Sequence, residues 1–186
     1  YYAEGLPYAI VIIVSTIMDK NFGLTNTEIA LYTSWLYLPW VIKPFWSPLV
    51  EILKTNRFWI ISMQIIIGSC LAGIALTLPS SNYLQYTLAF MWLLAFSSAT
   101  HDIAVDGFYM MALPSKSQAW FIGIRNTFYR FAILTGQGLI IMLAGVFQNL
   151  TGDIFKAWSI LFMFLSFLFL IFALYHSWRL PNPQSN

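Results

Sequence analysis

Residues 97–107 have the sequence SSATHDIAVDG, and this stretch decides how the rest of the chain is interpreted. Asp102 and Asp106 are four residues apart, so a helix with 3.6 residues per turn places both carboxylates on one face. No other aspartate, glutamate, lysine or arginine occurs between Arg57 and Asp102. A charge at the centre of a bilayer costs roughly 2.5 to 3.5 kcal/mol, so the pair should face a bundle interior or a water-filled path. The stretch therefore predicts a transport site.

The composition around this stretch is that of a membrane protein. Hydrophobic residues make up 59% of the 186 residues and charged residues 9%, whereas soluble domains carry about 25% charged residues. The net charge of +2 and the lack of a basic run argue against a nucleic-acid partner. Cys70 is the single cysteine, so neither an internal disulfide nor a multi-cysteine metal site is expected.

Apolar length predicts the fold. About 20 apolar residues cross the roughly 30 Å hydrocarbon core, and six segments reach or approach that length: 1–18, 27–46, 58–78, 84–112, 118–147 and 155–177. The breaks between them are short, so consecutive helices should form antiparallel hairpins. The predicted fold is an all-α membrane protein with a six-helix transmembrane bundle over 1–178, followed by the start of a cytoplasmic linker over 179–186.

Basic residues at the segment ends predict the orientation in the membrane. Five lie on one side and two on the other; the first group is Lys43, Lys54, Arg57, Lys116 and Arg179, and the second is Lys20 and Lys156. The side richer in lysine and arginine is expected to be cytoplasmic, which places both ends of the bundle there. Because the chain opens without an initiator methionine or a basic leader, it is expected to be a fragment that begins inside a helix.

Two arginines in the fifth segment are candidate partners for the acid pair. Counted outward from the turn at residues 115–116, Asp106 matches the depth of Arg125, and Asp102 matches that of Arg130. The arginines are five residues apart and point about 140° from each other, so at most one should face the acids. We expect Asp102 to pair with Arg130. The alternative is that both aspartates form ion pairs that hold the bundle together without handling a solute.

Glu4 provides a third carboxylate, about 21 Å inward from the outer boundary of the first segment. It is followed by Gly5-Leu6-Pro7. Two interpretations remain open: these residues interrupt the helix at a binding site, as in many transporters, or Pro7 only kinks it. His101 should point about 100° from Asp102 and is expected to bond a neighbouring helix rather than relay protons.

An enzyme is the less favoured class. An Asp-x-x-x-Asp pair on a membrane helix can hold a divalent metal in enzymes that transfer phosphoalcohols between lipids, so a metal-dependent lipid transferase using Asp102 and Asp106 stays an alternative. Such enzymes also need an upstream Asp-Gly-x-x-Ala-Arg, which this chain lacks. Gly-x-Ser-x-Gly and His-Glu-x-x-His motifs are missing as well. We therefore expect no catalytic residues, cofactor or metal.

Four stretches together resemble a known family: EGLP at 4–7, KPFWSPL at 43–49, DIAVDG at 102–107 and YR at 129–130. Their order and spacing are similar to those in the N-terminal half of AmpG-type permeases, which belong to the major facilitator superfamily. The resemblance implies a proton-coupled carrier that imports anhydromuropeptides from cell-wall turnover across the bacterial inner membrane. Related acetyl-CoA transporters are similar around the same aspartates, so an acetyl-CoA-like solute or a sugar remains an alternative substrate.

The resemblance also implies a missing partner and a set of functional residues. Carriers of this type have twelve helices in two halves that rock about a central site, so a C-terminal six-helix half is expected as partner, with protons, a small solute and the lipid bilayer. The implied pathway residues are Glu4, Asp102, Asp106, Arg125 and Arg130. The superfamily's loop between the second and third helices departs here from Gly-x-Leu-x-Asp-Arg, and its counterparts are Ser47, Leu49, Glu51, Lys54 and Arg57.

Overall fold

The computed structural model describes residues 1–181, except for the side chain of Ser115, and contains helices but no strand in that range. The end of the predicted linker, 182–186, lies outside the described residues. Five helical stretches are long and apolar enough to cross a membrane: Tyr2–Asn21, Asn56–Thr77, Tyr83–Ala112, Lys116–Thr151 and Ile154–Arg179. This confirms the prediction of an all-α membrane protein.

The first stretch is one continuous helical rod. It consists of α1 (Tyr2–Ala9), a π-helical turn over Ile10–Val14 and α2 (Ser15–Asn21). Pro7 lies inside α1 and has no backbone N–H to donate, and the π turn follows directly after it. The interpretation of residues 5–7 as a helix interruption is therefore wrong, because the helix passes through them.

The segment predicted over 27–46 is broken instead. It comprises α3 (Asn26–Leu36), α4 (Leu38–Ile42) and a 3₁₀ turn over Lys43–Phe45. Thr25 and Glu28 form a reciprocal capping box that starts α3. Pro39 cannot donate to the preceding turn and disfavours helix in the residue before it, and the break falls at Tyr37. This segment is not among the five spanning stretches of the described chain, so a sixth span stays a prediction.

The remaining helices follow in chain order. After α5 (Ser47–Leu53) come α6 (Asn56–Thr77) and α7 (Tyr83–Ala112). The fifth spanning stretch consists of α8 (Ser115–Leu134), a second π turn over Thr135–Ile140 and α9 (Ile141–Thr151), and α10 (Ile154–Arg179) ends the bundle.

The core is densest where α6 packs between α7 and α10. Ile67, Leu71, Phe162 and Phe169 are buried there, and the Ser166 hydroxyl on α10 donates to the Gly68 carbonyl on α6 at 2.7 Å. By contrast, the α8–α9 stretch leaves most of its surface uncovered. Only 22% of its most apolar part is buried, compared with 44–67% of that part in the other four spanning stretches. One side of the bundle is therefore open along this stretch.

A buried polar chain ties the same three helices together. Gln64 on α6 hydrogen-bonds the Nε2 atom of His101 on α7 at 3.1 Å, and its Oε1 atom accepts from Nδ1 of His176 on α10 at 3.0 Å. The prediction that His101 bonds a neighbouring helix is confirmed.

The α1 and α8–α9 stretches cross at close range. A Cβ atom on Gly5 would lie 3.0 Å from the Ala132 Cβ, and one on Gly136 would lie 2.6 Å from the Ala9 Cβ. Small residues at a crossing let two membrane helices approach with their backbones nearly in contact. This crossing sets the distance between Glu4 on α1 and the arginines of α8.

Candidate functional site

The charged residues of three helices meet in one cluster. The Arg125 guanidinium on α8 lies 2.5 Å from the Asp106 Oδ1 atom on α7 and 4.0 Å from the Glu4 Oε1 atom on α1. Its carbon also lies 4.9 Å from the centre of the Tyr1 ring and 5.9 Å from that of Tyr109, within the range of cation–π attraction. Arg125 is thus held by two carboxylates and two aromatic rings.

The depth matching of Asp106 with Arg125 is confirmed, but the preferred pairing of Asp102 with Arg130 is wrong. Arg130 is exposed and forms no ion pair with any residue in the described part of the chain. The reason is rotational: with the two arginines about 140° apart on the helix, turning Arg125 toward the acids turns Arg130 away. The expectation that at most one of them faces the acids therefore holds.

Asp102 is buried deeper than Asp106 and forms no ion pair with any residue in the described part of the chain. Its residue is 5% exposed, and its Oδ2 atom accepts a hydrogen bond from the Trp40 indole Nε1 at 3.1 Å. Its Oδ1 atom, like the Oε2 atom of Glu4, is buried and has no hydrogen-bond partner among residues 1–181. Two carboxylate oxygens are therefore free to bind a proton or a polar group of a ligand.

Lys43 is a further residue of the site. The sequence indicated a role for it only in the orientation of the chain in the membrane. It lies half-buried on the 3₁₀ turn after α4, and its charge attracts Glu4, Asp102 and Asp106. If all side chains are ionised, three carboxylates face the two positive charges of Arg125 and Lys43. A buried net charge is costly unless it is compensated, so one proton or one other cation balances the cluster.

Four aromatic residues adjoin the cluster, and sequence analysis did not identify them as a group. Tyr8 of α1 contacts Trp40, Tyr37 and Tyr129, with ring centres 5.2, 6.3 and 6.5 Å away. Tyr37 and Trp40 lie 6.3 Å apart. The sequence signal for it was Pro39, because the helix breaks beside this proline, which lies between Tyr37 and Trp40. We call Tyr8, Tyr37, Trp40 and Tyr129 the aromatic cluster.

The loop residues implied by the resemblance lie beside the C-terminal end of α7, the end that follows Asp106. Ser47, Leu49 and Glu51 belong to α5, and Lys54 precedes the Thr55 cap that begins α6. Glu51 and Lys54 line a cavity of about 380 Å³.

Arg57 of the same motif bonds a different helix. Its guanidinium donates to the Ser177 carbonyl near the end of α10 at 2.5 Å. The structure thus brings together Glu4, Asp106 and Arg125 as one ion cluster, and within the described residues no ion pair joins this cluster to the loop residues. No three histidine, cysteine, aspartate or glutamate side chains within the described residues are arranged to hold a metal ion.

The chain is similar in sequence to several known proteins. The sequence profile of the BT1 family matches residues 4–186. The anhydromuropeptide permease of Escherichia coli strain K12 is 26% identical over 150 residues, covering 77% of this chain and 30% of that protein. A Rickettsia conorii protein named as a transporter, AmpG 4, is 25% identical over 182 residues, covering 92% of this chain and 41% of that protein.

A more distant organism also has a relative. An uncharacterised protein of Schizosaccharomyces pombe is 26% identical over 151 residues, 72% of this chain and 28% of that protein. The chain thus spans less than half the length of each of these relatives. No solved structure matches it.

Proposed function

Because the chain belongs to the BT1 family, we propose that it forms the N-terminal, six-helix half of a proton-coupled major facilitator carrier that imports anhydromuropeptides across the bacterial inner membrane. One observation carries the proposal: three carboxylates and Arg125, with Glu4 and Asp102 buried, form a charged cluster between helices long enough to cross a membrane. Ionisable residues at such positions are characteristic of ion and solute paths.

Two observations support a second half. The chain covers 30% and 41% of the lengths of the E. coli and R. conorii relatives, and its α8–α9 stretch is the least covered of the five. The missing C-terminal half packs along this open side, and the solute binds between the halves. The substrate itself is carried over from the printed name of the E. coli relative.

The segment over residues 26–45 is proposed as the sixth span. It delivers Trp40 and Lys43 to the cluster, and its break at Tyr37 is acceptable at membrane depth because irregular backbone is tolerated where it faces protein or a water-filled cavity. With this span added, the basic residues keep the predicted orientation, with both ends of the bundle in the cytoplasm.

The geometry supports two different roles for the three acids. Asp106 is held by Arg125 at 2.5 Å, so it keeps the guanidinium in place. Asp102 is 5% exposed and has a free oxygen, and uptake of a proton there removes an uncompensated charge from the interior. Glu4 shares Arg125 with Asp106 at a longer distance and is the second candidate. Proton binding at Asp102 therefore leaves the Asp106–Arg125 ion pair intact while it neutralises the cluster for the return of the carrier.

Uptake of labelled anhydromuropeptide into vesicles that contain the full-length carrier tests the proposal. With an inward pH gradient, Asp102→Asn should abolish the stimulation by the gradient, whereas Asp153→Asn should behave as wild type. Asp153 is the N-cap of α10, and asparagine caps helices equally well. This control therefore removes one carboxylate and keeps the cap, and the ion pair that it loses with Lys156 is exposed and weak.

Three outcomes would redirect the assignment. Uptake that ignores both the gradient and Asp102→Asn would contradict proton coupling. Uptake of acetyl-CoA or a simple sugar but not of muropeptide would keep the carrier and change its substrate. Metal-dependent transfer of a lipid headgroup, lost with Asp102→Asn, would favour the lipid transferase.

A further inference from the structure

We propose that the aromatic cluster is a saccharide-binding surface, on which a pyranose ring of the solute stacks while its hydroxyl groups bond to the carboxylate of Asp102. The inference rests on the proposed function, since it takes the solute to enter between the two halves of a carrier. It assigns a chemical class of ligand to Tyr8, Tyr37, Trp40 and Tyr129, which have no role in holding Arg125.

The position of the rings argues for a ligand rather than for a membrane anchor. Tyr8 lies six residues inside the Tyr2–Asn21 stretch and Tyr129 lies 13 residues inside Lys116–Thr151, so neither is at the end of its stretch. Interfacial tyrosine and tryptophan side chains occur at the ends of spans. Tyr37, at the break between α3 and α4, is 46% exposed, and Tyr8, Trp40 and Tyr129 are half-buried, so part of the aromatic cluster is uncovered beside a buried carboxylate.

Trp40 joins this surface to the charged cluster. Its indole N–H donates to the Asp102 Oδ2 atom at 3.1 Å, which holds the carboxylate at the edge of the indole ring. The other oxygen, Oδ1, has no partner among the described residues. A pyranose has an apolar C–H face and a rim of equatorial hydroxyls, so a sugar stacked on the ring presents a hydroxyl to that oxygen. A hydrogen bond to an ionised acceptor is about twice as strong as a neutral one.

The spacing of the rings favours stacking over enclosure of a cation. A cation cage needs rings around a shared space, each with its centre within about 6 Å of the charge. Here Tyr8 meets Trp40 edge to face at 5.2 Å and 85°, and meets Tyr37 at 6.3 Å and 72°. Rings in T-shaped contact occupy one another's faces and leave no room for an ammonium group between them. The uncovered ring of the cluster is that of Tyr37, which is 46% exposed.

Binding measurements on the full-length carrier in nanodiscs test this inference. The probes are the labelled anhydromuropeptide, its peptide-free disaccharide and its sugar-free peptide. Tyr37→Leu and Trp40→Leu should each weaken disaccharide binding about five- to tenfold, because stacking contributes about 1 kcal/mol per aromatic contact and 1.4 kcal/mol is a factor of ten. Binding of the sugar-free peptide should not change.

Two further variants separate stacking from folding. Tyr86→Leu is the matched control, because Tyr86 on α7 is also 46% exposed but lies outside the aromatic cluster. Trp40→Phe keeps a ring and loses the indole N–H, so it should retain more disaccharide affinity than Trp40→Leu. Circular dichroism and elution volume show whether each variant is folded.

The outcomes distinguish this inference from the proposed function. If wild type transports muropeptide but disaccharide binding is unchanged by the ring substitutions, the carrier stands and the saccharide surface is wrong. If wild type ignores muropeptide yet binds another disaccharide in a ring-dependent way, the substrate is wrong and the surface stands. Loss of peptide binding in place of disaccharide binding, or equal losses in Tyr86→Leu, overturns the inference.

Discussion

Removal of the Arg125 guanidinium is the most direct test of how the charged cluster is held together. Arg125→Leu keeps an apolar stem in place but leaves the carboxylates of Asp106 and Glu4 without their cation. Removing one partner of a fully buried ion pair costs about 3–5 kcal/mol. The Arg125 and Asp106 side chains are 31% and 32% exposed, so water screens part of the interaction, and the expected loss in free energy of unfolding is about 2 kcal/mol.

The second arginine of α8 provides the comparison. Arg130 has no ion-pair partner among residues 1–181, so Arg130→Leu should cost less free energy of unfolding than Arg125→Leu, which removes the cation of two carboxylates. The double variant Arg125→Leu/Asp106→Asn removes the cation together with one charge that it balanced. Its loss should be smaller than the sum of the two single losses by about 1 kcal/mol, whereas Arg130→Leu and Asp102→Asn should be additive.

Reversible unfolding of the purified full-length protein in mixed detergent micelles, followed by circular dichroism over a denaturant series, measures these changes in free energy. They are the losses in Arg125→Leu and Arg130→Leu and the two coupling energies, Arg125 with Asp106 and Arg130 with Asp102. Equal losses for Arg125→Leu and Arg130→Leu would refute the assignment of Arg125 as the cluster's cation. So would additivity of the Arg125 and Asp106 substitutions together with coupling between Arg130 and Asp102, since that pattern belongs to the alternative pairing.

Two more predictions concern the bundle. Single-cysteine labelling should modify Thr55→Cys from the cytoplasmic side and Ser80→Cys from the outside, because the basic residues favour that orientation; labelling with the sides exchanged means that the topology is inverted. Gly136→Leu should destabilise the full-length protein by about 1–3 kcal/mol, since a Cβ there would lie 2.6 Å from the Ala9 Cβ. Gly138→Leu is the control and should be neutral, because nothing in the described chain lies within 4 Å of its Cβ position. Thermal unfolding of the two glycine variants checks this, and similar effects at both positions would show that α1 and the α8–α9 stretch do not cross as described.

Sequence analysis predicted the features that depend on composition and spacing along one helix. Apolar length predicted the five spanning stretches of the described chain, although its sixth segment, 27–46, is broken, and equal distance from a turn matched Asp106 to Arg125. The choice between Arg125 and Arg130 depends on the rotation of α8 about its axis, which the close crossing at Gly5 and Gly136 fixes. That crossing is a contact between distant parts of the chain, so helical periodicity alone could not give it.

The broken segment shows the same limit. Pro39 is visible in the sequence, but hydropathy averages over 20 residues and does not register a single missing N–H. Trp40 was therefore counted as part of an apolar run, and its bond to Asp102, 62 positions later, was not anticipated. The aromatic cluster combines residues of three helices, and no local pattern marks them as neighbours.

The hydrogen-bonded chain from His101 through Gln64 to His176 has a direction. The Gln64 amide donates through Nε2 at one end and accepts through Oε1 at the other, so the His101 Nε2 atom must be unprotonated and the His176 Nδ1 atom must carry a hydrogen. One amide thereby fixes the tautomer of two imidazoles on two other helices. Sliding α7 or α10 against α6 by a single residue would bring matched polar atoms out of register in a medium without water to replace them. The two hydrogen bonds therefore favour movement of α6, α7 and α10 as one unit.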